Sequence, residues 1–202
     1  AKCQVTYDYD RERIDTFLIS TQHIADADLK DVREAVRSVM EQTAQAHRLN
    51  ADFRVLINPT GRFVTGGSFA DTGLTGRQII ADTYGGMCRH GGGAFSGKDP
   101  TKVDRSGAYM ARKIAKDIVH AGFAGRCEVQ LAYAIGRAEP VSVAVDCFGT
   151  GQLPEAQITR WIQERFDLTP AGSISFLGLR EADYNEVAAG GHFTKPYMPW
   201  ER

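Results

Sequence analysis

The order of strands and helices in this chain is plainest in residues 127–166, CEVQLAYAIG RAEPVSVAVD CFGTGQLPEA QITRWIQERF. Residues 127–135 and 141–148 are short apolar segments separated by the turn-forming residues 136–140, which predicts two strands joined in a hairpin. Residues 155–166 repeat apolar side chains at helical spacing, which predicts a helix. Two strands followed by a helix, without strict β-α-β alternation, indicate an α+β fold with mixed or antiparallel sheets.

The segments upstream follow the same two periodicities. Asp26 or Asp28 stands where it can cap the first turn of an amphipathic helix, and Gly122 stands where a second helix would end. The predicted strands are residues 4–9, 14–20 and 53–57, and the predicted helices are residues 28–49 and 108–119. The first 60 residues therefore predict a hairpin, a helix and a strand, in that order.

The composition limits the classes of protein to which this chain can belong. Its 202 residues allow one large domain or two small ones. The formal net charge of −1 excludes a generally basic nucleic-acid binder and a polybasic membrane-surface protein. No apolar run approaches the ~20 residues of a membrane span, and no signal or transit peptide is recognised. The four cysteines are widely separated, without a CxxC pair, so reduced thiols in a cytoplasmic protein are expected.

Glycine is concentrated in one region of the chain. Residues 61–97 contain 11 of the 21 glycines and lack the serine-rich monotony of a flexible spacer. Because glycine permits a positive φ and a close approach of backbone to a ligand, this density predicts a binding surface. Within it, residues 92–98, GGAFSGK, satisfy the phosphate-loop pattern G-x-x-x-x-G-K. Asp99 stands where Ser or Thr is required, and no clean strand precedes the loop, so polyphosphate binding is predicted and a structural turn is the alternative.

Charged side chains surround this loop. The basic ones are Arg62, Arg77, Arg89, Lys98, Lys102 and Arg105, and the acidic ones are Asp71, Asp82, Asp99 and Asp104. Such a mixture suits a metal–triphosphate complex, in which carboxylates hold Mg²⁺ and cations hold phosphate oxygens. Solvated surface pairs are the alternative. Asp104 has a further alternative role as the N-cap of a helix that begins near Arg105.

Histidine and cysteine provide no second catalytic pattern. A structural hydrogen bond is the favoured role for His23, His90 and His192, with a base or phosphate contact as the alternative for His90. Cys88, next to Arg89, is a candidate activated thiol. No Ser/His/Asp or Cys/His set can be assembled by spacing, so covalent catalysis is not predicted.

Residues 91–99, GGGAFSGKD, resemble the signature nonapeptide of the S-adenosylmethionine synthetase (methionine adenosyltransferase) family, in its bacterial form. Segments that match the same family extend over the whole chain. They are INPTGRF at 57–63, GLTGR at 73–77, DTYGG at 82–86, KVDRS at 102–106, YAIG at 133–136, FGT at 148–150 and GHF at 191–193. The resemblance implies α+β repeats of curved mixed sheet with helices on one face. It also implies that residues 1–63 are the C-terminal part of the middle domain and residues 64–202 the C-terminal domain.

The resemblance implies an enzyme that transfers the adenosyl group of ATP to the sulfur of L-methionine, giving S-adenosylmethionine, phosphate and diphosphate. The implied cofactors are Mg²⁺ and K⁺. The implied assembly is a homodimer or tetramer with active sites between subunits. The family's N-terminal half is not among these 202 residues, so this chain alone is expected to be inactive without it.

Four residues near the start of the chain match family positions. Lys2 resembles a catalytic, ATP-binding lysine. Arg62 and Phe63 resemble ATP contacts, with Phe63 near the adenine. Asp71 resembles an acid that contacts ATP and the amino group of methionine.

Five more matches lie in and around the glycine-rich region. Arg77, Ala94 and Lys98 resemble ATP contacts on the triphosphate side. Lys102 resembles a contact to methionine and phosphate, and Asp104 resembles a Mg²⁺ ligand. The catalytic set that the resemblance implies is Lys2, Arg77, Lys98 and Lys102.

The chain departs from the family pattern at two places. Gln78 stands where the family usually has a lysine, which removes one phosphate-side cation. Residues 68–70, Ser-Phe-Ala, replace the usual Pro-x-Gly before Asp71. A non-catalytic subunit or interaction fragment of the same family is therefore an alternative function, and a P-loop-like phosphotransferase is another.

Overall fold

The computed structural model describes residues 1–202, and the chain divides into two compact units, Ala1–Thr72 and Gly73–Arg202. Each unit combines a small sheet with helices. The sheet of the first unit is mixed and that of the second is antiparallel, so the predicted α+β class is confirmed. None of the helices combines the length and apolar character needed to cross a membrane.

The first unit is built on a three-stranded sheet in the order β1-β2-β3. The strands are β1, Lys2–Asp8, β2, Arg13–Ser20, and β3, Arg54–Ile57. β1 and β2 form the predicted hairpin, with Val5 opposite Phe17. β3 pairs with β2 in parallel, which requires a crossover, and helix α1, Leu29–Ala46, supplies it.

Helix α1 buries its apolar stripe against this sheet. Asp28 is the N-cap, because its side chain accepts a hydrogen bond from the backbone N–H of Lys30 at 2.7 Å, and this identifies Asp28 rather than Asp26 as the cap. Met40 and Ala44 are the buried residues of the helix. They share one core with Ile14, Phe17, Phe53 and Ile57. The predicted amphipathic helix is therefore confirmed.

The second unit is organised around helix α2, Val103–His120. Four of its apolar side chains are fully buried, namely Tyr109, Met110, Ile114 and Ile118. Strands β4, Glu128–Ala132, and β5, Ser142–Asp146, form the predicted hairpin. β4 packs against α2, helix α3, Glu155–Arg165, packs against β5, and helix α4, Pro170–Phe176, packs against α2.

Two features of the second unit were not contained in the sequence patterns. β4 and β5 are shorter than the predicted segments, because the chain leaves the ladder in turns after Ala132 and Asp146. Helix α4 is not among the predicted elements, although Thr169 caps it by accepting from the N–H of Gly172 at 3.0 Å and Pro170 occupies its first position.

Residues 73–102 contain neither α-helix nor β-strand, so the glycine-rich region is shaped by turns.

Candidate functional site

The glycine-rich loop, residues 91–99, leads into the first turn of α2. Lys98 Nζ lies 2.7 Å from Asp104 Oδ2, and both side chains keep part of their surface in solvent. A Cβ atom on Gly93 would lie 2.6 Å from the Cβ of Asp104, so only glycine lets the loop backbone lie against the helix here. The structure therefore brings the predicted triphosphate contact Lys98 and the predicted metal ligand Asp104 together.

Asp104 is not the N-cap of α2. The helix begins at Val103 with Lys102 as its N-cap, because the N–H groups of Arg105 and Ser106 both donate to the carbonyl of Lys102. The alternative capping role of Asp104 is therefore wrong, since the helix begins two residues before Arg105. In the first turn the carboxylate is still favourably placed toward the positive end of the helix dipole.

Arg105 faces the protein interior and not the solvent. It is one of the buried charged residues of the chain. Its guanidinium donates to the carbonyl of Lys98 at 2.5 Å and to the hydroxyl of Tyr109 at 3.0 Å, and its Cζ lies 4.0 Å from the ring centre of Tyr184. Among the cations grouped around the loop in sequence, Arg105 therefore holds the loop backbone and cannot contact an external phosphate in this conformation.

His192 and His23 make structural hydrogen bonds, as predicted. His192 bonds through Nδ1 to the Tyr109 hydroxyl at 2.7 Å and through Nε2 to Ser96 Oγ at 3.2 Å. Burial, together with the charges of nearby cations, lowers the pKa of His192 to about 4, so its ring is neutral. His23 accepts from the backbone N–H of Phe63 at 3.1 Å.

His90 also makes a local hydrogen bond. Its Nδ1 accepts from the backbone N–H of Gly92 at 2.8 Å, which places the proton of the neutral ring on Nε2. Burial lowers the pKa of His90, so the neutral form is favoured. Nε2 is buried without a hydrogen-bond partner. The structural role predicted for His90 is the one that the structure shows.

Arg89 is neutralised by acidic residues of the β4–β5 hairpin. Its guanidinium lies 2.9 Å from Glu128 Oε1 and 3.7 Å from Asp146 Oδ2. These groups border a cavity of about 420 Å³ between α2, the hairpin and the glycine-rich loop. A phosphate at Arg89 would have to compete with these two carboxylates, and sequence spacing could not reveal partners 39 and 57 residues away.

Arg77 and Lys102 are two further cations near the loop, and Lys102 is close enough to Asp99 to lower the pKa of that carboxyl. Both are exposed, and neither forms an ion pair within 4.0 Å. The segment before Arg77 lies against the loop, since a Cβ on Gly76 would be 3.6 Å from the Cβ of Ala94 and 3.5 Å from the carbonyl oxygen of Ser96. Three residues predicted to face the triphosphate, Arg77, Ala94 and Lys98, therefore belong to one continuous region.

The first unit contains the other predicted site residues. Lys2 Nζ lies 4.0 Å from Asp71 Oδ2, and both side chains are strongly exposed. Arg62 donates to the carbonyls of Ala25 and Ala27 at 2.9 and 3.2 Å. The backbone of Phe63 is held by His23, and its side chain is half-buried. The structure thus pairs Lys2 with Asp71 and anchors Arg62 to the loop before α1.

The side chains of this chain build no metal cage of their own. No group of three or more His, Cys, Asp or Glu side chains is arranged to hold an ion. Mg²⁺, however, is commonly held by one or two carboxylates together with substrate phosphates and water. Asp104, part-exposed beside Lys98, fits one such ligand. The Asp99 carboxylate is instead engaged by the N–H and hydroxyl of Thr101, and these bonds lower its pKa.

Two alternative chemistries lose support. Burial, together with the charge of Glu128, raises the pKa of the Cys88 thiol, so the proposed activation of Cys88 by Arg89 is wrong. A P-loop places its glycines between a strand and the start of a helix. Here no strand lies in residues 73–102, and α2 begins only at Val103, after Asp99 and a further turn.

Comparison with known protein families agrees with the motifs in the loop. The profile of the S-adenosylmethionine synthetase central domain matches residues 1–63, and the profile of the S-adenosylmethionine synthetase C-terminal domain matches residues 65–202. The two matches together cover nearly every residue from Ala1 to Arg202. The chain belongs to the S-adenosylmethionine synthetase family.

Proposed function

We propose that this chain binds the triphosphate of ATP at the glycine-rich loop and contributes to transfer of the adenosyl group to methionine. The observation that carries the proposal is the Lys98–Asp104 pair, at 2.7 Å, beside a loop backbone that touches α2 through Gly93. The exposed cations Arg77 and Lys102 lie on either side of the loop in sequence. This combination of glycine backbone and cations suits a polyphosphate better than it suits a neutral ligand.

The reaction places its main electrostatic demand on the leaving group. The methionine sulfur attacks the ribose C5′ atom, the C5′–O bond breaks, and the electron pair of that bond leaves with the triphosphate. Negative charge therefore grows on the triphosphate, and prearranged cations lower the free energy of the transition state. Lys98, Arg77 and Lys102 would supply those cations, and the triphosphate would then be hydrolysed to phosphate and diphosphate.

Asp104 has a different role in this proposal. Without ligand it neutralises Lys98, which keeps the lysine side chain beside the loop. Mg²⁺, when bound with the triphosphate, would neutralise further phosphate charge, and Asp104 would be its ligand from this chain. K⁺ is an expectation from the family alone.

The first unit is proposed to contribute further contacts. Lys2 and Asp71 would bind ATP, and Asp71 would also bind the amino group of methionine. Arg62 and Phe63 would contact ATP, with the Phe63 ring near the adenine. The Lys2–Asp71 ion pair is the contact that supports this assignment, since it places a cation and an acid at one exposed position.

We also propose that the 202 residues do not catalyse the complete reaction by themselves. The family resemblance places a metal ligand and much of the methionine pocket in an N-terminal half, and active sites between the subunits of a dimer or tetramer. Turnover would then require that half and a second subunit.

Titration with inorganic tripolyphosphate in Mg²⁺-free buffer tests the binding part of the proposal. Wild-type chain is expected to bind it, and Lys98→Ala to bind it about tenfold more weakly, since a charge-assisted contact contributes about 1.5–3 kcal/mol. Lys113→Ala is the matched control, because Lys113 pairs with Asp117 within α2 and does not touch the loop. No binding by wild-type chain, or equal loss in both variants, would contradict the proposal.

A second measurement addresses turnover. The chain with ATP and L-methionine is expected to form no S-adenosylmethionine, and addition of the N-terminal half is expected to permit it. Gln78 favours one other function, a non-catalytic subunit, because it removes a phosphate-side cation. Inactivity of the completed protein and of its Gln78→Lys variant would support that function instead.

A further inference from the structure

The glycine-rich loop is held from behind by a buried set of polar rings and one buried cation. The hydroxyl of Tyr109 is the centre of this set: it accepts from Arg105 Nε at 3.0 Å and bonds to His192 Nδ1 at 2.7 Å. Arg105 also donates a hydrogen bond to the carbonyl of Lys98, and His192 also hydrogen-bonds Ser96 Oγ. Two points of the loop, residues 96 and 98, are therefore linked through one tyrosine.

Aromatic packing also joins the loop, α2 and the C-terminal segment. The Phe95 ring lies 5.3 Å from the Tyr109 ring and 5.2 Å from the His192 ring, both in edge contacts. The indole of Trp200 stacks on Tyr109 at 3.7 Å and donates to the carbonyl of His192 at 2.8 Å. The chain near its C-terminus thus clamps His192 and Tyr109 in the positions from which they reach the loop.

Arg105 is unusual in this network because its charge has no acidic partner. It forms no ion pair within 4.0 Å, and its neighbours are a carbonyl, a hydroxyl and the face of Tyr184. A buried cation compensated only by dipoles and a ring leaves a positive potential around it. The carbonyl of Lys98 connects that potential to the loop itself.

We propose that Arg105, Tyr109 and His192 are positioning residues for phosphate binding. They hold loop residues 95–98 in the conformation that presents Lys98, and the Arg105 guanidinium adds a fixed positive charge behind the loop without touching the ligand. This inference rests on the proposed binding of triphosphate at the loop. None of the three residues is a phosphate contact in it.

The rate of amide hydrogen exchange in the loop tests the positioning role in the absence of any ligand. The N–H of Lys98 donates to the carbonyl of Phe95 at 3.1 Å, so its exchange rate reports whether the loop keeps its conformation. Tyr109→Phe keeps the stacked ring but removes the hydroxyl that serves Arg105 and His192. We expect exchange in residues 95–98 to accelerate at least about fivefold, the change that loss of one or two hydrogen bonds produces.

Thr169→Ala is the matched control. It removes the cap of α4 in the same unit, which lowers stability, and the side-chain hydrogen bonds of Thr169 are to Asp167 and Gly172 and not to the loop. The amide exchange rates of residues 95–98 in Thr169→Ala are expected to equal those of the wild type. Equal exchange in Tyr109→Phe and wild type would overturn the inference.

Binding of inorganic tripolyphosphate in Mg²⁺-free buffer gives the second readout. Tyr109→Phe is expected to bind at least about threefold more weakly than Thr169→Ala, and equal affinities would also overturn the inference. If wild-type chain binds no tripolyphosphate while loop exchange still responds to Tyr109→Phe, the proposed function is overturned and the structural network alone is retained.

Two substitutions at Arg105 separate charge from geometry. Arg105→Lys keeps the positive charge and loses the fork between Lys98 and Tyr109, whereas Arg105→Gln keeps a donor and loses the charge. Both are expected to accelerate loop exchange, but Arg105→Gln is expected to weaken tripolyphosphate binding several-fold more than Arg105→Lys. Equal affinities of the two variants would overturn the role of the fixed charge.

Discussion

Lys98 Nζ and Asp104 Oδ2 lie 2.7 Å apart across the junction of the glycine-rich loop and α2. The carboxylate sits in the first turn of the helix, and the lysine reaches it from the last part of the loop. A phosphate that binds Lys98 must therefore compete with Asp104, unless a divalent cation lies between phosphate and carboxylate. If triphosphate binds at the loop as proposed, this pair would make its affinity depend on Mg²⁺.

Asp104→Asn should have opposite effects with and without Mg²⁺. In Mg²⁺-free buffer the variant is expected to bind tripolyphosphate about twofold to fivefold more tightly, since a part-exposed ion pair contributes up to about 1 kcal/mol. With Mg²⁺ the wild type is expected to bind more tightly than in Mg²⁺-free buffer, and the variant is expected to lose that gain. Calorimetric titration in the two buffers measures both affinities. Weaker binding by the variant in Mg²⁺-free buffer would contradict the competition between Asp104 and phosphate.

Gly93→Ala should destabilise the second unit. The added Cβ would lie 2.6 Å from Asp104 Cβ and 2.7 Å from its Cγ, so the loop backbone or the first turn of α2 must shift. Such overpacking costs about 1–3 kcal/mol in the free energy of unfolding. Gly91→Ala is the control, because nothing lies within 4 Å of its Cβ position and its φ is not positive. Urea denaturation should distinguish the two, and equal midpoints would be inconsistent with the packing described.

Acid should destabilise the chain through His192. Burial lowers the folded-state pKa of His192 to about 4, below the unfolded value of about 6.5, so the unfolded state binds more protons between these pH values. The free energy of unfolding of the wild type should therefore fall as the pH is lowered from 6.5 to 4. That of His192→Gln should fall less steeply. Parallel slopes for wild type and His192→Gln would contradict this role.

The four thiols should react in the order of their exposure. Cys3 is exposed and Cys147 is buried. Burial, together with the neighbouring Cys147 and acidic groups, raises the pKa of Cys127 to about 12, and a thiol reacts as its thiolate. An aromatic disulfide reagent at pH 8 is therefore expected to label Cys3 first, and to label Cys127 and Cys147 only after unfolding. Peptide mapping by mass spectrometry measures the order, and rapid labelling of Cys127 in the folded chain would be the opposite result.

Local sequence patterns are sufficient to predict the features that depend on neighbouring residues. The β1–β2 hairpin, α1 and the hairpin of β4 and β5 follow from alternation, helical periodicity and turn residues, which act within a few positions. The Asp28 cap is of the same kind, since it serves an N–H two residues away. The segment GGGAFSGKD likewise identified the family, because its residues are contiguous.

Long-range packing sets which of the charged groups near the loop are available to a ligand. Arg89 and Arg105 look equivalent to Lys98 and Lys102 in sequence. Packing turns Arg105 inward against Tyr109 and Tyr184, and it places Glu128 of the hairpin beside Arg89. Whether a cation is free depends on which distant element packs beside it, because solvent exposure and opposite charges set its availability and local sequence encodes neither.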